Sequence, residues 1–554
     1  MENEESLVIN QDNPFDQEII TVQFLTKQSQ KLLKKEIFKR IFSSLPLVTI
    51  IFLSLIIRVI ASGKSRGFIH PDEVFQSIEM AHYRIFGEYG SGQTIPWEFN
   101  ENYVYGGARS WFFVLILAVI YRFVMLFGIT DPLILIGTAR LFLSLFSIIT
   151  VIIAYKFGTE IFNKRVGLLS AFLCGTWWFF PFWASRIMTD SIASDMLFIS
   201  IYLTYKAIKY DSTKKKLFAS LFAGIFIGFA FMFRFPSGLM ALPLFMTLLY
   251  VASKNVHGMR KKHVSLKKEY FIQFIPLMMF FFGGGLMIIT QGLLDLFTWG
   301  DFLQSPINFF KYNIVAGNSA LHGTAPWYQY LVGFFTDFGS YFLFAFVLFF
   351  VFGLYYNKKW KSKIFFGSIF VFWIVLFSII AHKEFRFMFI IIPFSMIFVS
   401  NGIEAVIKFI RKKSLQNLVL GAIIIFFCAS SYTMGVYQKS FYWNYAEGIC
   451  MGMYWVGKQD DVEQVIVFEN VWYTGGYAYL DKDVPCYFLS MRPWMDPSVT
   501  YNSTAYRALF SIPGTYIVVK SNELFYIKEI LLSCGLLKVL FLNDNPDVTV
   551  YAKQ

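Results

Sequence analysis

The sequence predicts an all-α polytopic membrane protein with a small soluble α/β domain at its C-terminal end. Three observations carry this. The 554-residue chain is 56% hydrophobic, with 67 Phe, 31 Tyr and a mean hydropathy of +0.53, more apolar surface than a soluble chain can hide. Its apolar residues gather into about a dozen runs, most approaching the roughly 20 residues that cross a bilayer as a helix. After residue 436 the runs shorten, and β-like stretches appear at 464–468, 515–520 and 548–551, which marks a folded domain outside the membrane.

Residues 1–44 are polar and charged and read as a cytoplasmic N-terminus with an amphipathic segment over 24–42 on the membrane surface. The transmembrane module covers 45–436, with spans expected at 45–61, 111–128, 132–154, 166–184, 192–205, 217–233, 238–252, 271–297, 328–355, 364–381, 387–409 and 416–435, about 11–13 helices in all. The first long loop, 63–107, is not featureless. Val74, Ile78, Ala81 and Ile85 recur there at helical spacing, so a helix from Pro71 to Phe86 resting on the bilayer is expected. Gly283, Gly284 and Gly285 fall inside a span, where small residues let helices pack closely. Residues 437–554 form the soluble domain, expected on the lumenal side, and its sequon Asn502-Ser503-Thr504 is a glycosylation acceptor only there.

The formal net charge is +13, but the basic residues flank spans, at 27–40, 206–216, 254–268, 358–363 and 408–413. This positive-inside pattern puts the N-terminus in the cytosol and argues against nucleic acid as partner. No apolar run precedes residue 45, so the first span acts as the targeting signal. One region resists simple alternation. Lys156, Lys164 and Arg165 call for a cytoplasmic loop where alternation gives a lumenal one, so one short or re-entrant segment has been counted as a crossing. The cysteines, Cys174, Cys428, Cys450, Cys486 and Cys534, show no metal-ligand spacing, and a lumenal domain leaves room for one disulfide among the last three.

Chemistry concentrates in two places. The first loop holds His70, Asp72, Glu73, Gln76, Glu79, His82, Trp97 and Glu98, with Arg109 just beyond. Carboxylates at a membrane boundary are costly unless paired or used. Pro71, Asp72 and Glu73 also suit a plain helix start. An aromatic beside a carboxylate, as in Trp97-Glu98, suits a sugar, whose C–H face stacks while its hydroxyls bond; a Trp at this level also serves as a membrane-belt anchor. The second place is His382-Lys383-Glu384-Phe385-Arg386, between two apolar runs. Its cations suit an anion such as a lipid phosphate, or a tight cytoplasmic turn. Arg234 reads as a further phosphate ligand or a snorkelling helix end. Tyr312, Asn313 and Trp327 belong to an aromatic loop, and Arg186, Asp190 and Asp195 to a site-facing segment or a boundary ion pair.

Together and in this order, these stretches resemble glycosyltransferase family 22, the multispanning lipid-sugar-dependent mannosyltransferases of the GT-C architecture. The resemblance rests on His70-Pro71-Asp72-Glu73 with Gln76, Ala81-His82, Phe86-Gly87, Trp97-Glu98-Phe99, Arg109-Ser110, Arg234, the 308–327 region and His382-Lys383-Glu384 with Arg386. It covers most of residues 45–410. Ile95 to Phe99 is similar to the GPI mannosyltransferases that add the third or fourth mannose, whereas Pro485-Cys486-Tyr487 departs from the Pro-Cys-His of many relatives.

The resemblance implies transfer of mannose from dolichyl or another polyprenyl phosphate mannose to a glycolipid acceptor, GPI-precursor-like or a lipid-linked oligosaccharide, with inversion. Inversion needs one base. By the same resemblance Asp72 is that base, and Glu73 holds the acceptor or backs Asp72. His382, Lys383, Arg386 and Arg234 bind the donor phosphate, and His70, Gln76, Trp97, Glu98, Arg109, Tyr312 and Trp327 surround sugar and acceptor. No metal or other cofactor is expected. The site would face an endoplasmic reticulum lumen in a eukaryote, or the outer side of the plasma membrane in a prokaryote. The competing readings are a glycolipid transporter or flippase, for which broken helices in repeated halves are the sign, and a protein O-mannosyltransferase-like enzyme with a polypeptide acceptor.

Overall fold

The computed structural model describes residues 44–90, 94–261, 267–338, 340–356, 360–489, 504–521, 524, 527–544 and 546–553. The polar segment 1–43, with its expected amphipathic stretch, and Asn502 and Ser503 of the sequon lie outside the described residues. Among the described residues, seven helices are long and apolar enough to cross a membrane: Ser44–Lys64, Pro132–Ile161, Thr213–Phe233, Phe235–Lys261, Ile275–Thr298, Phe385–Phe409 and Lys413–Gln438. Phe112–Met125, Phe342–Tyr355 and Phe365–Ile379 are shorter. Among the described residues the runs expected as spans are mostly helical, with 166–184 broken at Trp177 and Trp178 into Lys164–Thr176 and Phe179–Ala184, and 271–297 broken at Gln273 and Phe274 between Lys267–Ile272 and Ile275–Thr298.

Local chemistry sets several of the starts. Asp131 caps Pro132–Ile161 by accepting from the amides of Leu133 (3.0 Å) and Ile134 (3.3 Å), and Pro132 fills the first helical position, where no N–H is needed. Asn163 caps Lys164–Thr176 in the same way. Of the three glycines only Gly283 sits at a close contact: a Cβ there would run into the backbone of Leu221, and one on Gly224 into that of Phe280, so Thr213–Phe233 and Ile275–Thr298 meet backbone to backbone, while one on Gly285 would meet nothing within 4 Å. Phe385–Phe409 is buried along most of its length, between Lys164–Thr176 and Ser340–Tyr355. Its first turn carries Arg386.

The expected span at 111–128 does not cross. Its helix, Phe112–Met125, has 14 residues, about 21 Å of rise against about 30 Å of hydrocarbon. Arg122 donates to the Ile85 carbonyl at 3.1 Å, and Asp131, just past the helix, accepts from Tyr454 at 2.7 Å and pairs with Lys458 at 3.3 Å. Both ends therefore stay on the face that bears the C-terminal domain. Taking this run out of the crossings returns Lys156, Lys164 and Arg165 to the opposite face, with the other basic loops.

Residues 71–86 form the expected helix, interrupted by a π turn at Val74–Ile78, but it does not rest on the bilayer. Val74, Ile78 and Ala81 are fully buried, because the helix is packed between Phe112–Met125 and the C-terminal domain. Phe75 meets Trp472 edge to face at 5.0 Å, Glu79 accepts from the amides of Tyr477 (3.1 Å) and Ala478 (2.7 Å), and His82 lies 3.3 Å from Asp481.

That domain holds a five-stranded sheet in the order β2-β1-β3-β5-β4, with β1 Gln464–Phe468, β2 Cys486–Phe488, β3 Thr515–Lys520, β4 Leu537–Leu542 and β5 Val548–Ala552. Strand β1 runs parallel to β2 and β3, and β5 antiparallel to β3 and β4. The three stretches expected from sequence are the buried strands β1, β3 and β5. The two missed are a three-residue strand and the exposed edge β4. All five cysteines are free, so the lumenal disulfide that the sequence leaves room for does not form here.

Candidate active site

The two clusters separated by more than 300 residues in sequence meet. Arg386 donates through Nη2 to Asp72 Oδ2 at 2.7 Å, pairs through Nε with Glu384 at 2.5 Å, and through Nη1 comes within 3.8 Å of Asp190. Because Asp72 stands in the first loop, the His382-to-Arg386 turn is on the C-terminal-domain face, and the cytoplasmic-turn reading fails. Arg234 pairs with Asp190 at 3.0 Å and lies over the Phe387 ring at 4.5 Å. This corner thus concentrates two guanidinium groups and three carboxylates.

The histidines fix its protonation. His70 caps the helix, accepting the Asp72 amide at Nδ1 (3.2 Å), and its Nε2 lies 3.5 Å from Glu384. His382 faces acceptors with both ring nitrogens, the Gly323 carbonyl at 3.1 Å and Glu384 at 2.7 Å, so it carries both protons and a positive charge. The bond to Glu384 raises its proton affinity against the effect of burial. Lys383 donates to the carbonyls of Ala325 (2.9 Å) and Ile380 (2.5 Å), which staples the 323–327 loop to this turn. Burial opposes the charge on Asp72, but Arg386 outweighs it and holds the carboxyl well below the usual carboxylate range. Asp72 keeps 23% of its side chain open, so an ionised carboxylate is presented to the site.

A second wall is aromatic and acidic. Trp97 stacks on Tyr312 with ring centres 3.9 Å apart, and the Tyr312 hydroxyl meets His322 at 3.0 Å. Glu98 takes a hydrogen bond from Gln76 at 2.8 Å and lies 4.0 Å from Arg109. Burial pushes Glu98 up to about 7, with Arg109 pulling the other way, so near neutrality it is poised between acid and carboxylate. Beside Glu384 and Arg386 opens a cleft of about 240 Å³ lined by Trp178, Phe182, Trp183 and Tyr442. Ring faces rimmed by charge are the surfaces that sugars use.

Two expected site residues lie elsewhere. Glu73 is fully buried and faces away from Asp72, because neighbours on a helix point about 100° apart. Its oxygens accept from the amides of Ile69 (3.0 Å) and Ile187 (3.3 Å) and pair with Arg140 (3.3 Å) and Arg186 (3.8 Å). The carboxylate has no access to an acceptor and makes no contact with Asp72; it fastens the loop. Trp327 is 69% exposed and packs on Tyr328 instead of the cluster. Conversely, Glu384 and Asp190 sit at the centre. Glu384 was visible inside its motif, and Asp190 in the Arg186–Asp195 segment; Asp195 turns instead to Thr150. Among the described residues no three His, Cys, Asp or Glu side chains gather as a metal-binding set.

Residues 49–481 match the profile of the Alg9-like mannosyltransferase family. Among individual relatives, the chain is 25% identical to mannosyltransferase APTG1 of Arabidopsis thaliana over 80% of its own length and 77% of that protein. It is 23% identical to GPI mannosyltransferase 3 of Yarrowia lipolytica over the same shares. With human GPI alpha-1,2-mannosyltransferase 3 it shares 26% over 67% of the chain, which spans 59% of that relative's length. Among solved structures, ArnT from Cupriavidus metallidurans bound to undecaprenyl phosphate superposes with a TM-score of 0.54 at 12% identity, covering 92% of this chain and 98% of ArnT. That likeness shows the GT-C fold.

Proposed function

The chain belongs to the Alg9-like mannosyltransferase family, and from that premise we propose that it transfers mannose, with inversion, from a polyprenyl phosphate mannose to a glycolipid acceptor. Dolichyl phosphate mannose is the donor and a GPI precursor the acceptor in this reading, in the endoplasmic reticulum membrane with the site lumenal. The names of the GPI mannosyltransferase relatives support it. The single observation that carries the chemistry is the 2.7 Å contact of Arg386 with Asp72, because it joins an anion-binding group to a carboxylate base.

In the proposed step an acceptor hydroxyl attacks the anomeric carbon of mannose while the bond from that carbon to the phosphate oxygen breaks. The bonding electrons leave with the polyprenyl phosphate, and the hydroxyl proton passes to Asp72. Arg386, Arg234 and the cationic His382 stabilise the charge that grows on the phosphate; Lys383 holds their turn in place. Trp97, Tyr312, Gln76, Glu98 and Arg109 form the wall for sugar and acceptor, with His70 orienting Asp72. No metal is needed, since the leaving phosphate meets fixed cations. Before donor binds, Arg386 lowers the basicity of Asp72; a phosphate that draws the guanidinium away restores it, so the base gains strength when there is a leaving group to expel.

The test is a purified enzyme given polyprenyl phosphate [³H]mannose and a glycolipid acceptor, with label followed into the lipid extract. Wild type should transfer label with inverted anomeric configuration, and Asp72→Asn should keep its size-exclusion profile while losing transfer by about three orders of magnitude or more. Near-wild-type turnover by Asp72→Asn would remove it as the base. Movement of intact glycolipid across vesicles with no covalent labelling would support the transporter reading.

A further inference from the structure

Arg109 differs from the other arginines of the interior. Arg58, Arg140, Arg186, Arg234 and Arg386 each donate at least one hydrogen bond. The Arg109 side chain is 17% exposed, and its Nε is buried with no acceptor. Among the described residues its nearest carboxylate oxygen, Glu98 Oε1, lies 4.0 Å from Nη2, beyond hydrogen-bond reach. That oxygen already accepts from Gln76 at 2.8 Å. A guanidinium taken this far out of water without acceptors is costly, yet the chain fixes its backbone on both sides. Trp299 donates through Nε1 to the Arg109 carbonyl at 3.1 Å. Ser110 donates to Gln291 at 2.8 Å, and Gln291 in turn to the buried Asp295 at 2.8 Å. The main chain is pinned while the charged end is left unbonded.

Charge and place identify the partner. Arg109 interacts electrostatically with both Asp72 and Arg234, so it faces the chamber shared by the proposed base and the phosphate corner. In that corner the cations are already matched. Arg386 is held by Asp72, Glu384 and Asp190, Arg234 by Asp190, and His382 by Glu384, while Lys383 points at two carbonyls. A polyprenyl phosphate sugar is a singly charged diester, and its leaving group is a monoester of about −1.5 to −2 charges at pH 7. Its departure calls for a cation that no carboxylate holds. We propose that Arg109 is a ligand of the donor phosphate, a catalytic residue whose contact tightens as the bond from the anomeric carbon to the phosphate oxygen breaks. The proposal rests on the reaction given above and makes the leaving group the partner of this member of the sugar-facing wall. A sugar hydroxyl needs only an amide such as Gln76, whereas a guanidinium fork matches two phosphate oxygens. Holding the fork unbonded is preorganisation, since no protein acceptor has to be displaced when the charge develops.

The experiment uses the purified full chain in detergent micelles. Polyprenyl phosphate is titrated and its binding read from the rise in thermal midpoint, with uncharged polyprenol as the control. Arg109→Gln should weaken polyprenyl phosphate binding at least about tenfold and leave polyprenol binding alone; Arg109→Lys keeps the charge without the fork and should fall between. In the transfer assay, turnover of Arg109→Gln at saturating donor should drop by about 10²–10³-fold, with the acceptor KM little changed. Because the Arg109 side chain makes no hydrogen bond in the fold, the midpoint without ligand should not fall. A lowered midpoint, unchanged binding of polyprenyl phosphate, or a defect confined to the acceptor KM would overturn the proposal, the last by giving Arg109 to an anion on the acceptor. The underlying reaction fails separately. If wild type moved no mannose to any glycolipid while Arg109→Gln still lost polyprenyl phosphate binding, the phosphate contact would be supported and the reaction would not.

Discussion

At the scale of single residues, the site is governed by how neighbouring carboxylates divide their roles. Asp72 and Glu73 are adjacent, yet one is open to the site and the other is closed between Arg140 and Arg186. Glu73→Gln should therefore damage folding of the first loop first, by about 3–5 kcal/mol for a broken buried pair, seen as a lower thermal midpoint without substrate. Loss of turnover at an unchanged midpoint would return Glu73 to the chemistry. Glu98 makes a pH prediction. Its carboxyl is raised to about 7 by burial, so between roughly its unfolded value of 4.3 and 7 the folded state binds the extra proton. Stability from this group is full below that window and is lost as pH rises through it, on the order of 3 kcal/mol. Glu98→Gln should flatten the fall of thermal stability between pH 5 and 7, and an unchanged slope would show that Glu98 is ionised throughout. The sequence displayed every charge in this site. It could not display the pairing, because Asp72 meets the guanidinium of Arg386, more than 300 positions away, while its neighbour Glu73 meets those of Arg140 and Arg186.

At the scale of elements, the helix over 71–86 shows what hydrophobic periodicity reveals and what it omits. The spacing of Val74, Ile78 and Ala81 revealed the helix; it could not say whether lipid or protein covers that face. The cover is Phe112–Met125 together with the C-terminal domain, and Glu79 ties the helix to that domain, supplying acceptors to the amides of Tyr477 and Ala478 in Gly476–Leu480. Glu79→Ala would leave two buried N–H groups without this acceptor, at about 1–3 kcal/mol each. The domain should then be cut faster by protease within 437–554, and transfer should fall although no site residue has changed. Unaltered proteolysis would mean that the other ties, Phe75 on Trp472, His82 on Asp481 and Asp131 on Tyr454 and Lys458, hold the domain without it. The strands set a limit to that lesson: β1, β3 and β5 are buried, whereas β4, with five apolar residues in six, lies largely exposed at the sheet edge.

At the scale of the whole molecule, the charge pattern and the contacts constrain topology independently. Loop charge alone required that one apolar run not cross; apolarity alone could not say which, since Phe112–Met125 is as apolar as true spans. Contacts single it out, through Arg122 on Ile85 and Asp131 on Tyr454 and Lys458. This has a direct consequence for accessibility. A cysteine placed at exposed Thr130, in a chain whose exposed Cys428 has been replaced by Ser, should react with a membrane-impermeant maleimide from the same side as one at Asp483 in the C-terminal domain. A cysteine at Lys214, in the basic loop ahead of Thr213–Phe233, should react only from the other side. If Thr130→Cys labelled with Lys214→Cys instead, Phe112–Met125 would be a crossing. Its contacts to the C-terminal domain would then be wrong, and the first loop that carries Asp72 could not be closed over the site in the way these ion pairs require.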